Sequence, residues 1–323
     1  MKHKFKRIDC DIKTLDLTGK NLSHIDLSQF PNLTRLIVAS NNLQQLDLQH
    51  VPRLKWLFCQ DNKLEHLDLS WVPMLKRLDC SHNRLNELDL SMTPMLTNVR
   101  CSGLKLTELN LSNNQRLVSL HCGENNLVEL DLSGTPHLLY LACPQNPIDS
   151  LDLSAVPKLK LLDCSELPIQ NWDFGQMSRL NWLVCSDSKP DRLDVTKLSA
   201  LGALLCPRCE LDELDLSQNK KLVALICCDN LLTELDLSTV PNLRYLQCEK
   251  NNLKELDLSS TPDLKAIRCD SINLKIKGWA GKFDNWRENI ARPQLRLVKD
   301  SIDNYWSWRK AGWSLSSDPV FKW

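Results

Sequence analysis

The sequence predicts a mainly β solenoid of about 12 to 13 stacked coils, with a parallel sheet, a less regular second wall and a helical, tryptophan-rich C-terminal cap. Two observations carry this prediction. Leucine recurs every 21 residues at twelve positions from Leu33 to Leu264, without an insertion or a deletion. Five residues after each leucine stands Val38 in the first unit and a cysteine in the other eleven. A unit of this length cannot bury its own apolar side, so the units must stack.

Each unit supplies one strand of the predicted sheet. It reads LxxLxCxxNxLxxLDLSxxPx, as in residues 54–74. In the LxC segment, alternation turns Leu36 and Val38 inward and positions 35, 37 and 39 outward, as in a half-buried strand. At about 4.8 Å per coil, twelve coils build a sheet of roughly 55 Å. The LDLS segment predicts the second wall, with its aspartates outward and a proline at the turn into the next coil.

The unit resembles the leucine-rich repeat, in particular the irregular bacterial 21-residue (IRREKO-type) subclass, in which an LxxLDL half follows the usual LxxLxLxxNxL half. The resemblance covers about residues 12–274. It divides the chain into an N-terminal cap with a partial repeat (1–32), a solenoid (33–274) and a C-terminal cap (275–323). It also implies that the concave wall of the sheet binds another protein, and that an inward asparagine column holds the bend after each strand. That column comprises Asn41, Asn62, Asn83, Asn125, Asn146, Asn230 and Asn251.

Composition and charge disfavour several classes of function. The 323 residues contain 40 basic and 40 acidic groups, so we expect no nucleic-acid partner. The sequence lacks a run of about 18 to 20 uncharged apolar residues, so we expect no membrane span. Because MKHKFKR is not followed by an apolar stretch, a secretory signal is not expected. These features favour a cytoplasmic bacterial protein with reduced cysteines, although export as an effector stays open.

The cysteines and histidines predict no metal, cofactor or catalytic site. Cys206 and Cys209 spell a CPRC motif, which is typical of redox dithiols and zinc ligands. The repeat instead places Cys206 in the core column and Cys209 at an asparagine position, where the resemblance permits cysteine. Cys228 falls in an outward column and is the only thiol of the repeats expected to be readily alkylated. The His121 side chain is expected to belong to a solvated charge ladder rather than to a nucleophile–base pair.

The outward positions of the sheet carry the binding prediction. An apolar stripe runs from Trp182 to Tyr245, and contiguous exposed apolar patches mark interfaces. Tryptophan, tyrosine and arginine often dominate binding energy. Charged residues in place of Trp182 and Leu205 should therefore spare folding and abolish binding. The predicted partner-binding residues are Trp56, Phe58, Arg100, Tyr140, Trp182, Leu205, Ile226 and Tyr245.

The C-terminal segment offers an alternative occupant for this stripe. Residues 272–323 hold six of the ten tryptophans and carry a net positive charge. Phe283, Trp286 and Ile290 are spaced for one face of a helix, which predicts a helical cap. The segment could instead fold back over the stripe. A glutamate and aspartate wall on the opposite side is expected to be solvated, with a basic partner as the alternative.

The leading functional hypothesis is a non-catalytic protein that recognises another protein, and an inhibitor or immunity protein fits this class. The second hypothesis is a secreted bacterial effector that binds a host protein. The third is a small enzyme or toxin activity in the C-terminal segment. No residue pattern indicates an oligomeric state.

Overall fold

Thirteen three-residue strands form one parallel sheet in the computed structural model, which describes residues 12–270 and 274–278. The strands follow one another in chain order, and equivalent residues pair across neighbours, as Arg35 pairs with Trp56 and Trp56 with Arg77. The strands of this sheet are β1 (Thr14–Asp16), β2 (Arg35–Ile37), β3 (Trp56–Phe58), β4 (Arg77–Asp79), β5 (Asn98–Arg100), β6 (Ser119–His121), β7 (Tyr140–Ala142), β8 (Leu161–Asp163), β9 (Trp182–Val184), β10 (Ala203–Leu205), β11 (Ala224–Ile226), β12 (Tyr245–Gln247) and β14 (Ala266–Arg268).

One continuous hydrophobic core runs along the inner side of this sheet. The middle residue of each strand from β2 to β14 is buried in it, as is the cysteine column from Cys59 to Cys248. The predicted alternation is therefore confirmed for the inward positions. Each cysteine acts as a small apolar side chain, because its neighbours above and below occupy the same position in the adjacent coils.

The second wall consists of the LDLS segments, and its aspartates lie outward as predicted. Asp68 illustrates their role, because its carboxylate accepts hydrogen bonds from the backbone N–H of Ser70 at 2.9 Å and from the Ser70 hydroxyl at 2.6 Å. The same backbone contact recurs at Asp47, Asp89, Asp131, Asp152, Asp173, Asp194, Asp215, Asp236 and Asp257. Each aspartate thus closes the turn that follows it.

Only the first residues of the predicted C-terminal cap lie within the described part of the chain. Two short strands of the second wall, β13 (Glu255–Asp257) and β15 (Lys275–Lys277), pair in parallel. Residues 275–277, at the start of the predicted cap, therefore form a strand of the second wall. The rest of the predicted helical cap, including Phe283, Trp286 and Ile290, lies outside the described residues. Within the described part of the chain, no helix has the length and apolar character needed to cross a bilayer.

The asparagine column is hydrogen-bonded to neighbouring backbone, as predicted. In every coil that has it, the Nδ2 group donates to carbonyls 3 and 24 residues earlier, and Oδ1 accepts the N–H 19 residues earlier. Where the column is interrupted, Ser188 and Cys209 each donate to the carbonyl 24 residues earlier. The bend after the strand keeps its buried carbonyls satisfied in these coils too.

A left-handed backbone turn also follows each strand from β1 to β12. The residue directly before the asparagine position has a φ between 54° and 65° in all twelve coils from Gly19 to Lys250. Only Gly19 and Gly103 are glycines among these twelve positions. The other coils accept a conformation that side chains disfavour, because the hydrogen bonds around the next residue fix the turn.

Candidate interaction surface

The outer face of the sheet comprises the first and third residues of each strand, and it has two different halves. From β2 to β7 it mixes aromatic, charged and small polar side chains, many of them partly exposed. From β8 to β12 it is almost entirely apolar and buried. The sequence places all eight predicted partner-binding residues on this face, but it does not predict their burial.

The apolar stripe of the second half forms a buried cluster that begins at Leu161, one strand before the predicted start at Trp182. Its buried members are Leu161, Trp182, Val184, Ala203, Leu205, Ala224 and Tyr245. Trp182 is 5% exposed, and Leu205 and Tyr245 are 7% exposed. Only Ile226, of the predicted residues in this half, is partly exposed. Charges at Trp182 and Leu205 would be buried among apolar neighbours, so we now expect these substitutions to destabilise the fold as well as to change the surface.

In the N-terminal half of this face, from β2 to β7, an arginine stacks on two aromatic rings. The guanidinium carbon of Arg35 lies 5.6 Å from the ring centroid of Trp56 and 5.6 Å from that of Phe58. Phe58 is buried beneath it, whereas Arg35 and Trp56 stay partly exposed. Tyr140, at the other end of this half, is also partly exposed. Such cation–π contacts hold the two aromatic side chains in place, and of the two only Trp56 remains partly exposed.

A row of ionisable side chains crosses the middle of this half. Asp79, Arg100 and His121 are register neighbours on β4, β5 and β6. Burial raises the pKa of Asp79, and the charge of Arg100 opposes that rise. Burial also lowers the pKa of Arg100 to about 10. Asp79 and Arg100 are 3% and 7% exposed, so the charge ladder expected around His121 is not solvated at these two neighbours.

The row does not form a nucleophile–base pair among the described residues. Loss of hydration and the charge of Arg100 lower the pKa of His121 to about 3, so this imidazole is neutral near pH 7. The nearest hydroxyl on its strand belongs to Ser119, whose buried Oγ has no hydrogen bond to another described residue. A serine nucleophile requires a hydrogen-bonded base, and His121 does not fill that role in this geometry.

The thiols of the described residues are all free, and most are inaccessible. Cys206 and Cys209 are fully buried. Burial raises the pKa of Cys206 well above its ordinary value, whereas a hydrogen bond with Cys185 lowers the pKa of Cys209. The burial of both sulfur atoms and the protonated state of Cys206 disfavour a redox or metal-binding role for this pair. Cys228 is partly exposed as predicted, but so is Cys269, the last member of the column, which corrects the expectation of a single reactive thiol.

The second wall carries an acidic groove with a volume of about 650 Å³. Six carboxylates line it, from Glu213, Asp215, Glu234, Asp236, Glu255 and Asp257. Arg192 pairs with Glu213 at 3.1 Å, and Lys277 pairs with Glu255. Within residues 12–270 and 274–278, no group of three or more histidine, cysteine or acidic side chains has the arrangement of a metal site.

Comparison with solved structures identifies the architecture. The functional domain of InlJ from Listeria monocytogenes, described as including a cysteine ladder, superposes with a TM-score of 0.70 at 34% identity. The alignment covers 82% of this chain and 64% of the InlJ chain, which is less than two thirds of it. The chain has the leucine-rich repeat fold. Its column of stacked cysteines corresponds to the feature for which the InlJ domain is described.

Two further bacterial leucine-rich repeat structures show the same fold. A protein from Leptospira interrogans matches with a TM-score of 0.72 at 22% identity, covering 82% of this chain and 71% of that one. YopM from Yersinia enterocolitica matches with a TM-score of 0.60 at 24% identity, covering 82% and 68%. No family model matches the sequence, and no curated protein does.

Sequence reasoning missed several contributors to this leucine-rich repeat surface. Arg35, Asp79 and Asp163 lie on the outer face beside the predicted residues. The repeat predicts that these three side chains point outward, but it does not predict that Arg35 stacks on two aromatic rings. Equally, the burial of Asp163 to 2% exposure depends on what surrounds the strand and has no signal in a local pattern.

Proposed function

We propose that the chain is a non-catalytic member of the irregular bacterial 21-residue subclass that binds another protein through the outer face of its sheet. The observation that carries this proposal is the partly exposed aromatic and basic group of the N-terminal half. Trp56, stacked under Arg35, stands at one end of this half and Tyr140 at the other. Tryptophan, tyrosine and arginine are the residues that most often supply binding hot spots.

The geometry supports a rigid binding platform rather than a catalytic cleft. Hydrogen bonds between neighbouring strands fix the backbone of this face, so little backbone conformational entropy is lost on binding. Arg77 and His121 lie between the two aromatic ends and are partly exposed. They supply donors for a partner surface that combines apolar and polar groups.

The test is co-purification of the native protein with its partner, followed by mass spectrometry and affinity measurement on variants. Trp56→Ala and Tyr140→Ala should each weaken partner binding by roughly 2 kcal/mol, about thirtyfold, as expected of hot-spot residues. Trp71→Ala is the matched control, because this tryptophan is 49% exposed and lies outside the outer face. A partner encoded by the same bacterium supports an inhibitor or immunity role, and a host protein supports an effector role.

Thermal melts of each variant separate lost binding from lost folding. If Trp71→Ala weakens the complex as much as Trp56→Ala does, the interface lies elsewhere and the proposal is wrong. The same conclusion follows if both variants of the outer face bind normally.

A further inference from the structure

The turns that lead into the strands form a continuous edge of the solenoid. In each coil such a turn follows the aspartate of the second wall, as residues 70–76 follow Asp68 and lead into β4. Backbone hydrogen bonds join neighbouring turns, from the N–H of Lys76 to the carbonyl of Lys55 and from the N–H of Thr97 to the carbonyl of Lys76, both at 2.8 Å. This turn edge comprises residues 49–55, 70–76, 91–97, 112–118 and the six equivalent segments up to 238–244.

The charge of the turn edge is strongly biased, although the whole chain is neutral. Its ten segments contain eleven lysines and arginines and no aspartate or glutamate. The aspartates of the second wall border the edge on one side only, and they are hydrogen-bonded to its first residues. A local field of this kind attracts anionic partners even when the net charge of a protein is zero. The basic residues are Arg53, Lys55, Lys76, Arg116, Lys158, Lys160, Arg179, Lys197, Lys220, Lys221 and Arg244.

Exposed apolar side chains project from two adjacent coils of the same edge. Trp71 is 49% exposed, and Met92, at the equivalent position one coil later, is 54% exposed. Met74 is 47% exposed, and its equivalent Met95 is partly exposed. The indole N–H of Trp71 donates to Asp68 at 3.1 Å, which orients the ring. These coils hold three of the five large apolar side chains that are exposed in the described part of the chain, and such a patch marks a protein or membrane interaction site.

Basic side chains surround this apolar patch. Arg53 and Lys55 lie on the coil before it, Lys76 follows Met74 on the same turn, and Arg116 lies on the coil after it. The side chains of Arg53, Lys76 and Arg116 are exposed. Four adjacent coils span about 14 Å, so these cations and the apolar patch can contact one surface together.

The combination fits the surface of a lipid bilayer better than it fits a protein partner. Lysine is depleted at protein interfaces, whereas lysine and arginine beside a membrane are attracted by anionic headgroups. Tryptophan is enriched at the membrane–water interface, where its ring lies among the headgroups. Trp71 and Met92 stand on turns and are about half exposed, so they can enter a lipid surface without a complementary pocket.

We propose that the turn edge binds the surface of a bilayer that contains anionic lipids. Trp71 and Met92 enter the headgroup region, and Lys76 and its basic neighbours contact the lipid phosphates. The binding is peripheral, and its strength combines buried apolar area with electrostatic attraction. It does not depend on the proposed function, because the outer face of the sheet is a separate surface.

Sedimentation of the full chain with lipid vesicles tests the electrostatic part. The protein should bind vesicles of phosphatidylcholine with phosphatidylglycerol at least about tenfold more tightly than vesicles of phosphatidylcholine alone. Lys76→Ala should weaken binding to the anionic vesicles about fivefold, as expected for one basic residue at such a surface. Lys105→Ala is the matched control and should have no effect, because Lys105 is exposed but lies after β5 and outside the turn edge.

A second pair of variants tests the apolar part. Met92→Ser should weaken binding to the anionic vesicles about fivefold, because a side chain that leaves water on binding is replaced by a polar one. Val128→Ser is the matched control, since Val128 is 61% exposed and lies outside the turn edge. Thermal melts of all four variants should match the parent, because every substituted side chain is exposed.

Three results would overturn the proposal. The first is a failure of the parent protein to bind anionic vesicles at low ionic strength. The second is equal losses in a variant and its control, or a loss for Lys76→Ala with none for Met92→Ser. The third is binding to soluble polyglutamate that Met92→Ser weakens as much as it weakens vesicle binding, which would assign the edge to an acidic protein. Trp56→Ala should leave vesicle binding unchanged, so failure of the proposed function and failure of this proposal are distinguishable.

Discussion

At the scale of single residues, the buried asparagines hold the coils together. Asn125 donates to the carbonyls of Cys101 at 2.9 Å and Cys122 at 3.0 Å, and accepts the N–H of Leu106 at 3.2 Å. Asn125→Ala should therefore lower the free energy of unfolding by about 3 kcal/mol, because each buried group left without a partner costs roughly 1 to 3 kcal/mol. Urea denaturation of the variant measures the loss.

Asn126 gives the matched control for this prediction, because its side chain is exposed. Asn126→Ala should leave the unfolding free energy within about 0.5 kcal/mol of the parent. Similar losses for both variants would mean that Asn125 contributes no more than a surface residue.

The sequence predicts this asparagine column because the same residue type recurs at one position of the repeat and makes the same hydrogen bonds in each coil. It does not predict that a second buried column of the wall, apolar in most coils, contains the polar residues Thr93, Asn114, Thr135, Asn219 and Thr261.

At the scale of the secondary-structure elements, the position of each cysteine in its coil determines whether its thiol is buried or accessible to a reagent. In native protein, alkylation should modify Cys228 and Cys269 among the described cysteines and spare Cys122 in the core. Burial raises the pKa of both partly exposed thiols to about 11. Because the thiolate is the reactive form, their alkylation rates should rise about tenfold per pH unit between about pH 8 and pH 10. Peptide mass spectrometry after timed alkylation measures these rates.

The control is the same reaction in denaturant, where Cys122 should react as fast as Cys228. Rapid modification of Cys122 in native protein would show that the cysteine column faces water.

The strands of the sheet were predictable, because apolar alternation and a fixed repeat determine which side of each strand enters the core. The burial of Trp182 and Leu205 was not predictable, because it depends on the surroundings of the cluster to which they belong and not on the alternation within one strand.

At the scale of the whole molecule, the repeated aspartate turns should make the solenoid sensitive to acid. Hydrogen bonds from the serine hydroxyl and the backbone N–H hold the pKa of Asp68, Asp152 and Asp257 below the ordinary value of 3.8. A carboxylate with a lowered pKa stabilises the folded state fully above its ordinary value, and this stabilisation is lost as the pH falls through the lowered pKa. The melting temperature should therefore drop steeply below about pH 4.

Circular-dichroism melts over this pH range measure the effect. A variant that combines Asp68→Asn, Asp152→Asn and Asp257→Asn keeps an acceptor at each turn but cannot titrate there, so its melting temperature should fall less on acidification. An identical fall in parent and variant would remove these turns as the cause.

The uniform spacing of the asparagine bonds has a consequence for the history of the chain. In every coil that has the asparagine, its bonds recur at separations of 2, 3, 19 and 24 positions. Excising or duplicating 21 consecutive residues therefore reconnects equivalent partners of the asparagine, so the bend of each coil keeps its hydrogen bonds. Unequal recombination can thus lengthen or shorten the gene by whole units, while each protein that results folds by the same rules.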